Sequence, residues 1–238
     1  MDNAIYAALT RQSGLMREMR VVANNIANAN TTGFRREGVV FSEYMVPLDG
    51  RGETLAMANG RGRRIDLGPG GMTQTNGQYD LAIDGEGFLM VQTPQGSRLT
   101  RAGAFMTNAE GELVNPDGYQ LLDDGQAPII IPAGVGNVGI GTDGTISADD
   151  NPVGRIGVFT SPDPANLQHE AGTLFDPGGA VEPIEEAVLR QGFLEDSNVD
   201  PVLEIARMIE VQRAYQLGQS FLDQEDQRIR QTITSLTR

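Results

Sequence analysis

Apolar side chains recur at helical spacing near the start of the chain. Alternating steps of three and four residues from Ile5 to Ile26 meet an apolar side chain at six of seven positions. This spacing places one apolar stripe on an amphipathic helix. Asparagines crowd residues 24–30 and Gly33 follows them, and both residue types favour a helix end. The pattern therefore predicts a helix that ends before Gly33.

The same spacing returns at the other end of the chain and continues for longer. Between Ile205 and Leu236, seven of the ten positions in the three-four repeat are apolar, which gives a heptad-like stripe with polar interruptions. Asn198 or Asp200 can cap this helix, and Pro201 suits its first position. At 1.5 Å per residue, a helix over residues 201–236 spans ~54 Å.

The middle of the chain follows a different period. Short runs with alternating apolar side chains are separated by turns that contain glycine, asparagine and proline, which predicts a meandering antiparallel β domain. Residues 45–71 carry glycine and arginine with little periodicity and are predicted to form an extended, poorly packed connection. Strands are predicted at residues 81–83, 88–91, 113–114, 129–131 and 156–159.

Together these patterns predict an α+β fold. It has paired long N- and C-terminal helices, coiled-coil-like, and a central antiparallel all-β domain. We assign residues 1–34 together with 192–238 to the helical domain, residues 35–70 to an extended arm and residues 71–191 to the β domain. The apolar stripe of each helix must be covered, and two arrangements are equally compatible with the pattern. The helices pack on each other, within or between subunits, or both pack on the sheet.

The composition excludes several classes of function. The chain has 39% hydrophobic and 21% charged residues, a balance unlike that of a membrane protein or a wholly disordered chain. Its net charge of −14 argues against general nucleic-acid binding, which needs clustered cations. Cysteine and lysine are both absent, which excludes thiolate chemistry, a Schiff-base lysine and a Walker A lysine. With His169 as its one histidine, the chain is a weak enzyme candidate.

Three features superficially resemble chemical sites. Residues 134–139 spell the dinucleotide pattern G-x-G-x-x-G, but a strand and a turn are expected there, whereas pyrophosphate binding needs a helix N-terminus. His169 is predicted to lie on a surface loop. The aspartate pairs at 123–124 and 149–150 lie beside turn residues, where aspartate is favoured for backbone reasons. We therefore predict no catalytic, cofactor-binding or metal-binding residue and no enzymatic activity.

The sequence also carries no targeting pattern. No apolar run approaches the roughly eighteen residues of a membrane span, and the N-terminus lacks the basic-then-apolar layout of a secretory signal. We expect no membrane insertion and no cleaved signal peptide.

Four arginines form the one basic cluster of the chain, in the segment with little periodicity. Arg51, Arg61, Arg63 and Arg64 lack the interleaved aromatic residues of a nucleic-acid surface. Contact with an acidic face of a neighbouring subunit is one interpretation, because the charge of the chain supplies such faces. A solvated loop is the other, and the sequence favours neither.

Three stretches together resemble the axial proteins of the bacterial flagellum. Residues 23–36, ANNIANANTTGFRR, are similar to the N-terminal rod signature of that family, and residues 192–216, GFLEDSNVDPVLEIARMIEVQRAYQ, are similar to its C-terminal signature. Residues 80–105 are similar to the β domain shared by its rod and hook members. The opening MDNAIYAALTRQ and the modest length are most similar to the proximal-rod member, with the distal-rod member as the alternative. The motif residues are Asn24, Asn25, Asn28, Gly33, Phe34, Glu195, Ser197, Asn198, Gln212 and Arg213.

The resemblance implies a structural role in the flagellar basal body. The terminal helices would form an inner tube around an export channel that spans the periplasmic space, with the β domain outside. The implied partners are other rod proteins, copies of the chain and the flagellar type III export apparatus, with no nucleic acid, cofactor or small-molecule substrate. The expected subunit contacts are Ile5, Leu15, Met19, Val22, Ile26, Ile205, Met208, Tyr215, Leu222, Ile229 and Ile233.

By the apolar spacing, a single copy cannot cover both helical stripes. We therefore expect the termini of the free monomer to be largely disordered. Two other functions remain as alternatives. One is a standalone α+β module whose C-terminal helix docks a partner as a coiled coil, and the other is a carboxylate-dependent enzyme that uses Asp123 and Asp124.

Overall fold

The computed structural model describes residues 2–47, 54–170 and 172–236, and over these residues it confirms the α+β class. A long helix lies near each end of the chain, and antiparallel strands lie between them. Contacts divide the chain into two compact units. The helical unit contains both long helices and a β-hairpin, and the β unit contains residues 28–36 and 67–199.

The two long helices have the extents that the apolar spacing predicts. Helix α1 covers Asp2–Ala27 and helix α2 covers Pro201–Leu236. Asp200 caps α2, because its Oδ1 accepts hydrogen bonds from the backbone N–H groups of Val202 and Leu203 at 2.9 and 3.1 Å. Among the described residues, no helix has both the length and the apolar character that crossing a membrane requires.

Helices α1 and α2 pack against each other in opposite directions. Gln12 Nε2 donates to Tyr215 O at 2.9 Å, and Arg207 Nε donates to Glu18 Oε1 at 2.8 Å. The later residue of α1 therefore contacts the earlier residue of α2, as in an antiparallel helical pair. Because α1 has 26 residues and α2 has 36, roughly the last ten residues of α2 extend past the start of α1.

A β-hairpin completes the helical unit and corrects one expectation. Strand β1 (Glu37–Pro47) pairs antiparallel with strand β2 (Thr54–Ile65), with an irregularity in register between Val40 and Ser42. Residues 45–71 were predicted to form an extended, poorly packed connection, yet β2 and the end of β1 fall within them. A two-stranded ladder is held by backbone hydrogen bonds, which any residue other than proline can make, so it needs no alternation of side chains.

The β unit is built from short antiparallel strands. The strands are β3 (Met72–Gln74), β4 (Leu81–Asp84), β5 (Phe88–Thr93), β6 (Gly96–Thr100), β7 (Met106–Thr107), β8 (Leu113–Val114), β9 (Gln120–Leu121), β10 (Val138–Ile140), β11 (Thr145–Ala148), β12 (Asn151–Arg155), β13 (Val158–Thr160), β14 (Gln168–His169), β15 (Leu174–Asp176), β16 (Glu182–Pro183), β17 (Val188–Gln191) and β18 (Phe193–Glu195). A short 3₁₀-helix covers Pro164–Asn166.

The strands of the β unit form one large sheet and several smaller ones. Strands β5 and β6 lie near the middle of a nine-stranded sheet, in the order β14-β15-β6-β5-β9-β8-β7, with β13 pairing with β5 and β16 pairing with β13. Strands β10, β11 and β12 form a second sheet, and β17 pairs with β4 as β18 does with β3.

The apolar runs predicted as strands supply the core of this unit. Four of the five runs overlap β4, β5, β8 and β13. The run at 129–131 is not a strand: Ile129 and Ile131 are buried, while Ile130 is exposed and makes only a single bridge to Glu112. Alternate burial thus occurs without a continuous ladder, which is why periodicity alone misassigned it.

The edges of the two units differ from those assigned from sequence. Residues 28–34 and 192–199 were placed with the helices, whereas contacts place them with the β unit. Strand β18 pairs with β3, and the N–H of Gly33 donates to the carbonyl of Glu195 at 2.7 Å. Both flanking segments are therefore held by backbone pairing in the β unit.

Candidate assembly site

Helix α2 turns one face towards α1. Val211 and Glu204 are buried on this face, and their spacing of seven residues corresponds to two helical turns. Leu15 and Val22 are the buried residues of α1 that were expected to make contacts. The expected contact residues that lie buried or half-buried in this unit are Ile5, Leu15, Met19, Val22, Ile26, Met208, Tyr215, Leu222 and Ile229.

A second set of apolar residues on α2 is open. Ile205 and Ile233, which were expected to face the N-terminal helix of their own or of an adjacent subunit, are 50% and 56% exposed. Ile209 is exposed four residues after Ile205, on the same side of the helix. The apolar residues predicted to form one stripe on α2 therefore lie partly on the face that packs against α1 and partly on an exposed face. Helix α1 alone does not cover both faces of α2.

A shallow apolar groove lies where the two helices meet. Its lining includes Ala8 and Leu15 from α1 and Ala214, Gly218 and Phe221 from α2. Gly218 leaves room for the Gln12 side chain, because a Cβ there would lie 2.5 Å from Gln12 Nε2. The side-chain amide of Gln12 is then able to reach the backbone of α2.

A buried amide lies at the opposite end of the helical pair. Asn25 is fully buried and its Nδ2 donates to Glu37 O at 2.8 Å and to Glu204 Oε2 at 3.1 Å. Asn25 Oδ1 accepts from the N–H of Glu37 at 3.0 Å. One side chain thus joins the end of α1, the start of β1 and the first turn of α2. Sequence reasoning singled out Asn25 but not Glu37 or Glu204.

The β unit contains a buried ion triad formed by Arg35, Arg101 and Glu195. Glu195 Oε1 lies 2.7 Å from Arg35 Nη1, and Glu195 Oε2 lies 3.1 Å from Arg101 Nη1. The three side chains are 0%, 3% and 1% exposed. We call these three side chains the clasp.

Backbone hydrogen bonds surround the clasp. Asn198 N donates to Phe34 O at 3.4 Å, and Arg36 N donates to Asn198 Oδ1 at 2.6 Å. Gly68 O accepts from both Arg35 Nη1 and Asn198 Nδ2 at 2.8 Å. Residues 33–36, 68–70 and 195–198, the clasp segments, therefore converge at one place in the β unit.

Burial perturbs the protonation of one member of the clasp. Desolvation lowers the pKa of Arg101 to about 10, against the opposing attraction of Glu195. Arg101 also lies over the ring of Phe88, 5.6 Å from its centroid. Two guanidinium groups share one carboxylate here, and Arg35 raises the electrostatic cost of the second charge.

Three known protein families match separate parts of this chain. The chain matches the "Flagella basal body rod protein" family over residues 5–35, the "Flagellar hook protein FlgE/F/G D1 domain" over residues 82–148 and the "Flagellar basal body rod FlgEFG protein C-terminal" family over residues 190–236. The three matches include α1, a large part of the β unit and α2.

Individual relatives match along the whole chain. The flagellar basal-body rod protein FlgF of Caulobacter vibrioides is 43% identical over 243 aligned residues, which cover 99% of this chain and 98% of the relative. The chain belongs to the flagellar basal-body rod protein family. FlgF of Mesorhizobium japonicum is 36% identical over an alignment that covers 91% of this chain and 90% of the relative. FlgG of Bacillus subtilis is 31% identical with both chains fully covered.

The residues of the rod-protein motifs fall into both units. Phe34 is fully buried in the β unit, where its ring meets His169 edge-on at 5.5 Å. Arg35 and Arg101 of the clasp were not singled out from sequence, because an arginine in a polar stretch gives no sign of burial. The motif residues of the helical unit are Asn24, Asn25, Gln212 and Arg213, and those of the β unit are Asn28, Gly33, Phe34, Glu195, Ser197 and Asn198.

The remaining motif residues act locally or lie open. Ser197 Oγ accepts from the N–H of Val199 at 3.2 Å, and Asn28 O accepts from the N–H of Thr31 at 3.1 Å. Asn24 is half-buried, and Gln212 and Arg213 are exposed on α2. The motif residues of this chain thus differ in their surroundings, since some make hydrogen bonds within the chain and others are exposed on α2.

The predicted basic cluster lies on the hairpin of the rod protein. Arg63 and Arg64 are exposed near the end of β2, and Arg63 Nη1 lies 3.7 Å from Glu37 Oε2. Arg61 belongs to the same strand, and Arg51 lies outside the described residues. The end of the hairpin where β1 begins and β2 ends therefore carries exposed positive charge, although the net charge of the chain is −14.

The polar features that resembled chemical sites have structural roles in this rod protein. Asp123 Oδ1 accepts from the N–H of Ala127, and Asp149 Oδ1 accepts from the N–H of Asn137. No helix begins at residues 134–139, which lead into β10. His169 lies in β14 rather than on a loop, and its ring packs 5.2 Å from Phe175. The described residues include no group of three or more His, Cys, Asp and Glu side chains suited to a metal ion.

Proposed function

We propose that this chain is a structural subunit of the proximal rod of the flagellar basal body. It would assemble with copies of itself and with other rod proteins through α1 and α2. The open apolar face of α2 carries the proposal, because Ile205 and Ile209 are exposed although the same helix already has a covered face. The identity to FlgF of Caulobacter vibrioides and of Mesorhizobium japonicum is higher than that to FlgG of Bacillus subtilis, which supports the proximal position over the distal one.

Neighbouring helices of the same family would cover the open face of α2. Burial of one aliphatic side chain contributes about 1.5–3 kcal/mol, so a few such residues per neighbour, repeated around a tube, stabilise an assembly without covalent links. The last turns of α2, which extend past α1, offer Ile233 and Leu236 at 56% and 80% exposure to the next subunit. These helices would pack as coiled-coil-like layers around the export channel, with the β units outside.

The hairpin arginines would make a lateral contact. Arg63 and Arg64 are exposed on a chain whose net charge is −14, so the outer faces of neighbouring copies are acidic on average. Attraction between these arginines and an acidic neighbouring surface would set the orientation of the two subunits more than it would raise their affinity. Arg51 and Arg61 belong to the same proposed contact.

The subunit would be exported before assembly and would have no catalytic role. As a rod subunit the chain would pass through the flagellar type III export apparatus, without signal cleavage, and reside where the rod crosses the periplasmic space. We propose no enzymatic activity and no cofactor, nucleic-acid or small-molecule ligand for it. An intact mass for the subunit in isolated basal bodies would agree with export without cleavage, and a shortened N-terminus would contradict it.

The test is complementation of a deletion strain. Ile209→Asp should abolish swimming and remove the subunit from isolated basal bodies, because it places a charge in a buried interface, whereas Ile209→Leu should restore both. Unfolding of the purified Ile209→Asp chain should match that of the parent chain. Normal swimming with Ile209→Asp would contradict the proposed use of this face.

The position along the rod needs a separate measurement. Basal bodies isolated from cells that lack the distal-rod protein should retain a proximal-rod subunit and lose a distal one. Retention of the chain supports the proximal assignment, and its loss supports the distal alternative. Swimming cells with normal basal bodies after deletion of the gene would instead favour the standalone coiled-coil module.

A further inference from the structure

The clasp joins three distant parts of the β unit. Arg35, Arg101 and Glu195 lie near the beginning, in the middle and near the end of the residues that form this unit. Their charged groups meet at 2.7 and 3.1 Å with almost no solvent exposure. Removal of the carboxylate from such a buried triad is strongly destabilising, because it leaves two guanidinium charges uncompensated in a region of low dielectric.

The clasp segments also carry the points at which the chain enters and leaves the β unit. The chain leaves after residue 36, returns at residue 67 and leaves again after residue 199. Gly68 O accepts from Arg35 and Asn198, and Gly70 N donates to Glu195 Oε1 at 2.9 Å. Each of these three points is thus held by the same network.

The backbone around the clasp is packed too closely for a loose contact. A Cβ at Gly33 would lie 2.2 Å from Ala102 N, and Gly33 has a φ of +70°. A Cβ at Gly70 would lie 1.9 Å from Asp196 O. Main chain from the clasp segments therefore fits directly against main chain, which requires glycine at both positions.

We infer that the clasp is an all-or-none latch that fixes residues 28–36 into the β unit of the free chain. Its closure needs Glu195 and Asn198, so a chain that lacks its last strand cannot close it. When the latch is closed, residues 33–36, which follow α1, and residues 195–198, which precede α2, are joined through one network. The two helix-bearing ends of the chain are then tethered to one folded unit before any neighbour is met.

The latch would close without assembly, so the purified full chain is sufficient to test it. Amide hydrogen exchange followed by mass spectrometry should show Gly33, Arg36 and Asn198 protected to the level of the central strand β5. Fast exchange across residues 28–36 in the free parent chain, with β5 protected, would overturn the inference.

A substitution in the clasp should release both ends at once. Glu195→Gln removes the charge shared by the two arginines, and exchange should rise by about 100-fold or more at residues 33–36 and 195–198 together. The matched control is Arg98→Met, which breaks an ion pair with Glu170 at 2.8 Å in the same unit and should leave those segments unchanged. An increase confined to residues 195–198 would also overturn the latch.

If the Glu195→Gln chain does not fold, a second variant still tests the latch. The triple change Arg35→Met, Glu195→Leu and Arg101→Met removes all three charges and keeps comparable volume, a replacement that buried ion triads tolerate. It should fold with residues 33–36 protected. Protection of those residues in the triple variant and its loss in Glu195→Gln support a charge-coupled latch, whereas equal protection in both variants contradicts it.

Discussion

Asn25 Nδ2 and Glu204 Oε2 lie 3.1 Å apart, joining the end of α1 to the first turn of α2. The two residues are 179 positions apart in the chain, and both are buried. An amide can satisfy a buried carboxylate and a backbone carbonyl together, as Asn25 does with Glu204 and Glu37. This contact fixes which part of α1 lies opposite which part of α2.

Asn25→Leu should disrupt the helical pair. The change leaves the carboxylate of Glu204 without this donor and removes the bonds to the backbone of Glu37, which costs about 1–3 kcal/mol per unsatisfied buried group. We expect a reduction of roughly tenfold or more in the amount of subunit in isolated basal bodies. Ser13→Ala, which also replaces a polar side chain but at an exposed position of α1, is the control and should assemble normally. Equal incorporation of the two variants would show that the Asn25 contact does not set the helical register.

Gly218 and Gln12 should show genetic coupling. Gly218→Ala places a methyl group 2.5 Å from Gln12 Nε2, so the amide must leave its bond to Tyr215 O. We expect reduced swimming in Gly218→Ala and recovery when Gln12→Ala is added, because the shorter side chain makes room and alanine favours the helix by about 1 kcal/mol over glycine. Swimming halos of the two single variants and the double variant measure this. A double variant that is worse than both single variants would contradict the steric explanation.

Limited proteolysis of the free monomer should separate the two units. A single copy leaves the open face of α2 uncovered, so we expect rapid cleavage within residues 2–27 and 201–236. Residues 28–36 and 67–199 should resist, with fragments identified by mass. Resistance along the whole chain would instead mean that the helices are stably folded in one copy, and would favour the standalone module.

The stability of the β unit should fall in acid through Asp143. Its carboxylate accepts from Thr145 Oγ1 at 2.8 Å and from the N–H of Thr145 at 3.1 Å, and these bonds lower its pKa. Because the folded pKa lies below the unfolded value of 3.8, this contribution is fully present above about pH 4–5 and is lost as the pH falls through the folded pKa.

Denaturant unfolding at pH 7 and pH 3 measures this effect. Asp143→Asn should be less stable than the parent chain at pH 7, and the difference should shrink at pH 3. Asp117→Asn, on another exposed turn, controls for the loss of one negative charge. A difference between Asp143→Asn and the parent that is the same at both pH values would rule out the ionised carboxylate as its source.

Local patterns predicted the helices well and the hairpin poorly. The three-four repeat and Pro201 predicted α2 over residues 201–236 because amphipathic spacing and capping act within a few residues of each other. The hairpin β1–β2 was missed because its ladder depends on backbone bonds between Glu37 and Ile65 and their successors, which leave no clear alternation in the side chains. Ile130 shows the converse, since the apolar run at 129–131 was predicted as a strand but forms only one bridge.

The candidate site divides in the same way. The sequence by itself determined that the chain has two amphipathic ends, a β-rich middle and no chemistry of thiols or lysines, and its motifs already resembled those of the rod proteins. Only the tertiary structure decided that Ile205 and Ile233 lie outside the helical pair, and that Arg35 and Arg101 are buried around Glu195. Burial and charge pairing arise between residues far apart in the chain, and an exposed arginine and a buried one have the same local sequence signature.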